Sequence, residues 1–187
     1  MKVIKTTSRK DFLNIPNILC YIRFIMIPIF CYFYLSATSQ KEYTIAAIIL
    51  IVAALTDKLD GTIAHRFNMI TDFGKIIDPL ADKLLQVIAM ICLTVTYPRI
   101  WVLAIALIAK ELYMCVKGFK ILGEITQVDG AQWFGKLSTV IVFSSLVGLT
   151  YFPNLSQLQI NFVIVVNLVF LCFSFGMYFY KYRKYLL

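Results

Sequence analysis

Long apolar stretches separated by short polar segments dominate this chain of 187 residues. A membrane-crossing helix needs about 20 predominantly apolar residues, and six stretches of this kind follow one another along the chain. The predicted spans are residues 16–36, 43–64, 76–97, 100–117, 136–153 and 159–180. Pro16, Pro98 and Pro153 fall at their boundaries, as expected of residues that begin or interrupt helices. The pattern predicts an all-α integral membrane bundle of six transmembrane helices.

The overall composition agrees with a membrane setting. Hydrophobic residues make up 60% of the chain, more than in an ordinary soluble domain, and the mean hydropathy is +0.81. Because the connections between spans are short, we expect one domain covering residues 1–187. Residues 1–13 mix cations with apolar side chains, which predicts a short amphipathic helix lying at the membrane interface before the first span.

The cationic residues predict the orientation of the bundle. The net charge is +8, and cations gather at both ends of the chain and near the connections after the second and fourth spans. Those at the two ends are Lys2, Lys5, Arg9, Lys10, Lys181, Arg183 and Lys184. Since cationic segments stay on the cytoplasmic side of a membrane, both termini and the connection between the second and third spans are expected there. Topology explains the positive charge, so we expect no nucleic-acid partner.

Four aspartates stand where the second span ends and the third begins. They are Asp57, Asp60, Asp78 and Asp82. Residues three or four apart share a helix face, so the first two form one acidic stripe and the last two form another. Antiparallel helices would turn these stripes toward each other, and Gly61, Ala64 and Gly74 would leave room for close approach. Carboxylates are costly inside a membrane, so the cluster marks a site that binds cations or moves protons.

Divalent metal binding is the interpretation that best fits these acids. Mg²⁺ prefers oxygen ligands, and two divalent ions would balance four carboxylates. Without metal, repulsion between like charges should leave the cluster strained and partly protonated. One alternative is that Asp78 is a helix N-cap followed by Pro79 at the first helical position, or that the helix kinks at Pro79. Another is a cation carrier, which would need a continuous polar path that the fifth and sixth spans do not favour.

The segment from Asp57 to Asp82 resembles the signature of the CDP-alcohol phosphotransferase family, D-x2-D-G-x2-A-R-x8-G-x3-D-x3-D. The four aspartates and the three small residues between them all fall on signature positions. The departure is His65, which stands where the family usually has arginine and is followed by Arg66. The resemblance is specific because seven residue identities match at fixed spacing.

Within that family, the chain is most similar to the branch that makes phosphatidylglycerophosphate. The elements that carry this likeness are Asn14-Ile15-Pro16-Asn17 with Arg23, the run from Phe73 to Lys83, Lys110-Glu111-Leu112 and Ala131-Gln132-Trp133-Phe134-Gly135-Lys136. Three positions depart from the branch: Cys20 replaces a usual threonine, Lys110 a usual arginine and Ser138 a usual lysine. A different acceptor alcohol therefore stays open, as in cardiolipin synthases or phosphatidylinositol-phosphate synthases.

The resemblance implies metal-dependent transfer of a phosphatidyl group from CDP-diacylglycerol to sn-glycerol 3-phosphate, with release of CMP. It implies two divalent cations, Mg²⁺ or Mn²⁺, held by Asp57, Asp60 and Asp78. Asp82 would also touch metal and would act as the general base for the acceptor hydroxyl. The resemblance further implies a homodimer in the bacterial cytoplasmic membrane, with the active site on the cytoplasmic side.

The resemblance also implies substrate contacts. Those for CDP-diacylglycerol are Asn17, Gly61, Ala64, His65, Thr71 and Gly74. Because glycerol 3-phosphate is an anion, the best candidates for binding its phosphate are the lysines of the predicted cytoplasmic side, Lys110, Lys117 and Lys136. Asn17 and Thr71 also fit a helix cap and a loop residue, and the three lysines also fit a role in orienting the chain.

The remaining reactive or charged side chains within the spans are interpreted as structural. Five cysteines are scattered through apolar stretches without the spacing of a metal site, which predicts small packed side chains. They are Cys20, Cys31, Cys92, Cys115 and Cys172. Arg23, inside the first span, is interpreted either as snorkelling toward the interface or as bracing the acidic site.

Overall fold

A computed structural model describes residues 14–66, 74–124 and 133–183, and every regular element within these ranges is helical. The all-α prediction is confirmed for this part of the chain. The predicted interfacial segment 1–13 and Thr71 lie outside the described residues. So do the side chains of Ala64, His65 and Lys117, although their backbone is helical.

Six long α-helices lie in the described ranges, together with a short 3₁₀ helix at Pro98–Ile100. The α-helices are α1 (Ile15–Leu35), α2 (Gln40–Arg66), α3 (Gly74–Thr96), α4 (Trp101–Glu124), α5 (Trp133–Tyr151) and α6 (Gln157–Arg183). Each overlaps one of the spans expected from the apolar pattern. The sequence located the helices well because each apolar stretch is bounded by polar residues or proline.

Four of these helices, α1, α3, α5 and α6, are long and apolar enough to cross a membrane. The other two have the length, with 27 residues in α2 and 24 in α4. In both helices charged residues interrupt the apolar stretch, among them Asp57 and Asp60 in α2 and Lys110 in α4. Charged groups make a membrane crossing costly unless they serve a site. A bundle of six spanning helices therefore stays a prediction.

The positions at which α3 and α1 begin show whether Asp78 and Asn17 cap a helix, a question that the sequence left open. α3 begins at Gly74, so Pro79 lies inside the helix and Asp78 is not its N-cap. A proline inside a helix removes one backbone hydrogen bond, and neighbouring groups can compensate for this loss in membrane helices. The N-cap position of α1 is held by Asn14, so the capping interpretation of Asn17 is wrong.

The structure divides into two compact units, Met1–Ile88 and Ala89–Leu187, so a single domain stays a prediction. In the first unit, α1 packs along α2. The buried alanines of α2, Ala46, Ala47 and Ala53, occupy little volume and so allow a close approach of neighbouring backbone. This packing places polar residues of α1 beside the acidic end of α2.

In the second unit, α4 and α5 both pack against α6. Gly135 of α5 lies so close to the hydroxyl of Tyr178 on α6 that there is no space for a Cβ atom. Asn167 of α6 donates a hydrogen bond to Ser145 Oγ of α5 at 2.8 Å. Interhelical polar contacts and small residues of this kind stabilise helix pairs in a membrane. The exposed side chains of α6 are mostly large and apolar, Phe162 among them, as expected for a surface in contact with lipid.

Candidate functional site

The C-terminal part of α2 places two carboxylates on one helix face. Asp57 and Asp60 are three residues apart and therefore lie side by side. Asp60 is 3% exposed, whereas the Asp57 side chain is 45% exposed. Gly61 follows Asp60, and apart from its chain neighbours and the backbone of α2 itself, no described atom lies within 4 Å of the position that its Cβ would take. This part of α2 thus presents two acids with open space next to them.

The first turns of α3 carry the other two acids. Asp78 is partly buried and lies within the helix rather than at its end. Asp82, one turn further along, accepts a hydrogen bond from Gln86 Nε2 at 3.3 Å. Gln86 is 4% exposed, and the sequence pattern did not identify it as a site residue. Gly74, at the first position of α3, is buried.

A third set of contacts comes from α1, and the contact made by Cys20 is one that the sequence pattern did not predict. Cys20 is fully buried, and its thiol donates a hydrogen bond to Asp78 Oδ1. The same sulfur lies 3.6 Å from Asp60 Oδ2. One possible metal-ligand atom from each of Cys20, Asp60 and Asp78 lies within 4.8 Å of the other two. Three helices therefore meet at this point, and Cys20 contacts acids as well as packing in the core.

Arg23 of α1 braces the two acids of α2. Its Nη2 lies 2.5 Å from Asp60 Oδ2, and its Nη1 lies 3.2 Å from Asp57 Oδ1. The side chain has no exposed surface, so bracing is the correct interpretation and snorkelling is wrong. Nε makes no hydrogen bond with any described residue, and Nη1 has only the ion-pair contact with Asp57. Arg23 thus fixes the separation of the two carboxylates and offsets part of their repulsion.

The carboxylates of Asp57, Asp60 and Asp78 fit a divalent cation. Carboxylate oxygens are preferred ligands of Mg²⁺ and Mn²⁺. Arg23 offsets one of three negative charges, which leaves a formal charge of −2 that one divalent ion would neutralise. An unbalanced charge in a poorly hydrated site is costly. The group formed by Cys20, Asp60 and Asp78 is suited to hold a metal ion, while the identity and number of ions stay predictions.

The residues predicted to contact CDP-diacylglycerol are described in part. Asn17 is 1% exposed and shares a face of α1 with Cys20 and Arg23, since these residues are spaced three apart. Gly61 and Gly74 supply the small residues already noted on α2 and α3. The other three predicted contacts lie outside the described side chains. Substrate binding by all six stays a prediction.

The predicted phosphate-binding lysines belong to the second unit. Lys110 is 6% exposed, and its Nζ lies 3.2 Å from Oε1 of Glu111. Lys136 is exposed in the first turn of α5, while the side chain of Lys117 is outside the described set. A buried lysine beside a carboxylate is held in a defined position, whereas an exposed lysine is not. Of the two lysines whose side chains are described, Lys110 is therefore the one held in a fixed position within its own unit.

Comparisons with known proteins point to one family. A family model described as CDP-alcohol phosphatidyltransferase matches residues 13–175. A CDP-diacylglycerol–glycerol-3-phosphate 3-phosphatidyltransferase from Escherichia coli (strain K12) is 39% identical over 146 residues, which cover 76% of this chain and 79% of that protein. Proteins of the same name from Shigella flexneri serotype 5b (strain 8401) and Shigella sonnei (strain Ss046) match to the same extent. The family match includes all the acids of α2 and α3 and the polar face of α1.

Proposed function

Because the chain belongs to the CDP-alcohol phosphatidyltransferase family, we propose that it transfers a phosphatidyl group from CDP-diacylglycerol to sn-glycerol 3-phosphate, giving phosphatidylglycerophosphate and CMP. The chain is an integral membrane protein, as its four long apolar helices indicate. The observation that carries the proposal is the convergence of acidic side chains from α2 and α3 within the part of the chain that matches the family.

The metal centre that we propose contains two divalent cations, Mg²⁺ or Mn²⁺, with Asp57, Asp60 and Asp78 as ligands and Asp82 also in contact. When bound, the cations would neutralise charge on the diphosphate and stabilise the attacking and departing oxygens. The proposal is supported by the buried position of Asp60 and by its closeness to Asp78. Arg23 and Cys20 hold these carboxylates in place through the contacts described above.

Asp82 is the residue that we assign as general base. In this role its carboxylate takes the proton from the acceptor hydroxyl as the oxygen attacks phosphorus. Gln86 supports the assignment because its amide donates to Asp82 Oδ2 and so orients the carboxylate from one side. The open surface at Gly61 would give the diphosphate room to approach the acids of α2.

The acceptor phosphate would be bound by cations, and Lys110 is the first candidate, with Lys117 and Lys136 as the others. A lipid donor and a soluble acceptor meet at the membrane interface, so we place the active site and both termini on the cytoplasmic side of the bacterial membrane. We also propose a homodimer. Lys110 and Ser138 depart from the usual residues of the branch, and these departures favour testing other acceptor alcohols alongside glycerol 3-phosphate.

The direct test is release of CMP by the purified full chain in detergent with CDP-diacylglycerol and Mg²⁺. We expect CMP when glycerol 3-phosphate is supplied and none without an acceptor. Asp82→Asn should lower kcat by at least about a hundredfold, since a general base contributes that much or more. Glu42→Gln removes a carboxylate from the opposite end of α2 and serves as the control, with expected turnover close to wild type. Equal CMP release with inositol phosphate would overturn the assigned acceptor, and full activity of Asp82→Asn would overturn the assigned base.

A further inference from the structure

We propose that Cys20 supplies a sulfur ligand to the metal centre, so that this chain binds thiophilic divalent cations such as Cd²⁺ at Cys20, Asp60 and Asp78. The inference deepens the proposed function, since it rests on Asp60 and Asp78 being metal ligands. It makes Cys20 a residue that determines metal preference.

The geometry brings one soft and two hard donor atoms to a single point. The Cys20 sulfur contacts Asp78 Oδ1 directly and lies 3.6 Å from Asp60 Oδ2. The three ligand atoms are within 4.8 Å of one another, a spacing close to that of ligands around one ion. Each donor comes from a different helix, so the arrangement results from packing and not from local chain geometry.

A second observation points to a cation at this place. The Cys20 thiol donates a hydrogen bond to Asp78, and no cationic side chain among the described residues forms an ion pair with Asp78. Among the described side chains, the cation that contacts the cluster is Arg23, which lies against Asp57 and Asp60 and has no exposed surface. Asp78 is partly buried, and a carboxylate that is partly removed from water is stabilised by a positive partner. The charge at Asp78 is therefore left for a bound ion to balance.

The chemistry of the donors decides which ions gain from the sulfur. Mg²⁺ prefers oxygen ligands, whereas Cd²⁺ and Zn²⁺ bind thiolate strongly. When the sulfur binds, the S–H bond breaks, the proton passes to solvent and the sulfur electron pair is donated to the metal. A hydroxyl at this position would keep the hydrogen bond to Asp78 but offer no soft ligand. For this reason, Cys20→Ser tests the contribution of the sulfur to metal binding separately from that of the hydrogen bond.

The test is a Cd²⁺ titration of the purified full chain, followed by the near-ultraviolet charge-transfer absorption of a cadmium–thiolate bond. We expect a saturating band in the wild-type protein and none at this site in Cys20→Ser. Cys92→Ser removes another buried thiol, on α3, and should keep the band. Asp78→Asn keeps Cys20 but should weaken Cd²⁺ binding at least about tenfold, because even partners outside the ligand sphere commonly contribute this much to affinity.

Measuring the binding of both Cd²⁺ and Mg²⁺ shows whether Cys20→Ser removes one ligand or disrupts the whole site. Cys20→Ser should lower the affinity for Cd²⁺ at least about tenfold and that for Mg²⁺ by less, so the preference for Cd²⁺ falls. A disrupted site would lose both metals together. A band that persists unchanged in Cys20→Ser, or that disappears in Cys92→Ser, would overturn the proposal. CMP release with Mg²⁺ is measured separately, so a chain that binds Cd²⁺ through Cys20 yet releases no CMP would refute the proposed function and leave this inference standing.

Discussion

Replacing Arg23 with glutamine removes the positive charge that braces the acids of α2. In the wild-type structure the guanidinium lies 2.5 Å from Asp60 and 3.2 Å from Asp57, with no exposed surface of its own. Glutamine is shorter and neutral, so both carboxylates lose their cationic partner. In protein kept free of metal, Arg23→Gln should therefore be markedly less stable than wild type.

The size of the stability loss depends on how deeply the two ion pairs of Arg23 are buried. Removing one member of a buried ion pair costs about 3–5 kcal/mol because the other charge stays unbalanced. Asp60 is 3% exposed, so its ion pair with Arg23 counts as buried. The Asp57 side chain is 45% exposed, so losing its ion pair with Arg23 should add little to the destabilisation. For a chain of this size each kcal/mol shifts the unfolding midpoint by about 2–4 °C, so the variant should unfold about 6–20 °C lower.

Divalent cations should reverse part of this loss. A bound cation supplies positive charge to the same carboxylates, so Mg²⁺ should raise the unfolding midpoint of Arg23→Gln more than that of the wild type. Arg23→Lys keeps the charge but lacks the planar fork that reaches two carboxylates, and it should fall between the two. The assay is thermal unfolding in detergent, followed by tryptophan fluorescence, with chelator and with Mg²⁺.

A matched control is available in the second unit. Arg99 is exposed and donates a hydrogen bond to Asn161 at 3.2 Å, so Arg99→Gln should change the midpoint little. The reasoning is refuted if Arg23→Gln in chelator unfolds at the wild-type temperature. It is also refuted if Mg²⁺ stabilises both proteins equally, because the guanidinium and the cation would then not act on the same charges.

Three further predictions concern residues elsewhere in the two units and the metal itself. Gln86→Leu removes the hydrogen-bond donor to Asp82 and should lower kcat about tenfold to a hundredfold with little change in KM. Steady-state CMP release measures both constants, and an unchanged kcat would contradict the prediction. Gly135→Ala introduces a Cβ against Tyr178 and should lower the free energy of unfolding by about 1–3 kcal/mol, as measured by thermal unfolding. The loss should be smaller in a Tyr178→Phe background, which lacks the hydroxyl. An equal loss in both backgrounds would exclude the clash. Chelation of divalent cations should stop CMP release and their return should restore it, whereas activity in chelator would exclude a metal requirement.

The positions of the helices could be predicted from the sequence because the apolar pattern is local. The predicted span 16–36 corresponds to α1 at Ile15–Leu35, and the predicted span 159–180 lies within α6 at Gln157–Arg183. The acidic stripes were also predictable, since residues three or four apart must share a helix face. The start of α3 was not, because Asp78 before Pro79 fits a helix end as well as an interior kink, and the packing around the helix decides between them.

The contact of Cys20 with the acids could not be predicted from the local sequence pattern. Cys20 is 58 residues from Asp78 and 40 from Asp60, and nothing near Cys20 in sequence indicates which helices pack against it. One signal was present, however. Asn17, Cys20 and Arg23 put a polar face on an otherwise apolar helix, and an arginine inside an apolar span needs a buried partner.

The distribution of charge within the cluster explains why three helices are needed. Asp57 and Asp60 lie on one face of α2 and repel each other, and Arg23 offsets that repulsion from α1. Asp78 comes from α3 and has a neutral thiol beside it, so the guanidinium does not serve it. The remaining negative charge of these three acids is therefore concentrated at Asp78, because Arg23 Nη2 already contacts Asp60 Oδ2, the oxygen that lies 3.6 Å from the Cys20 sulfur. A cation that enters the cluster gains most at Asp78, because Arg23 already supplies positive charge to the Asp57 and Asp60 oxygens that it contacts.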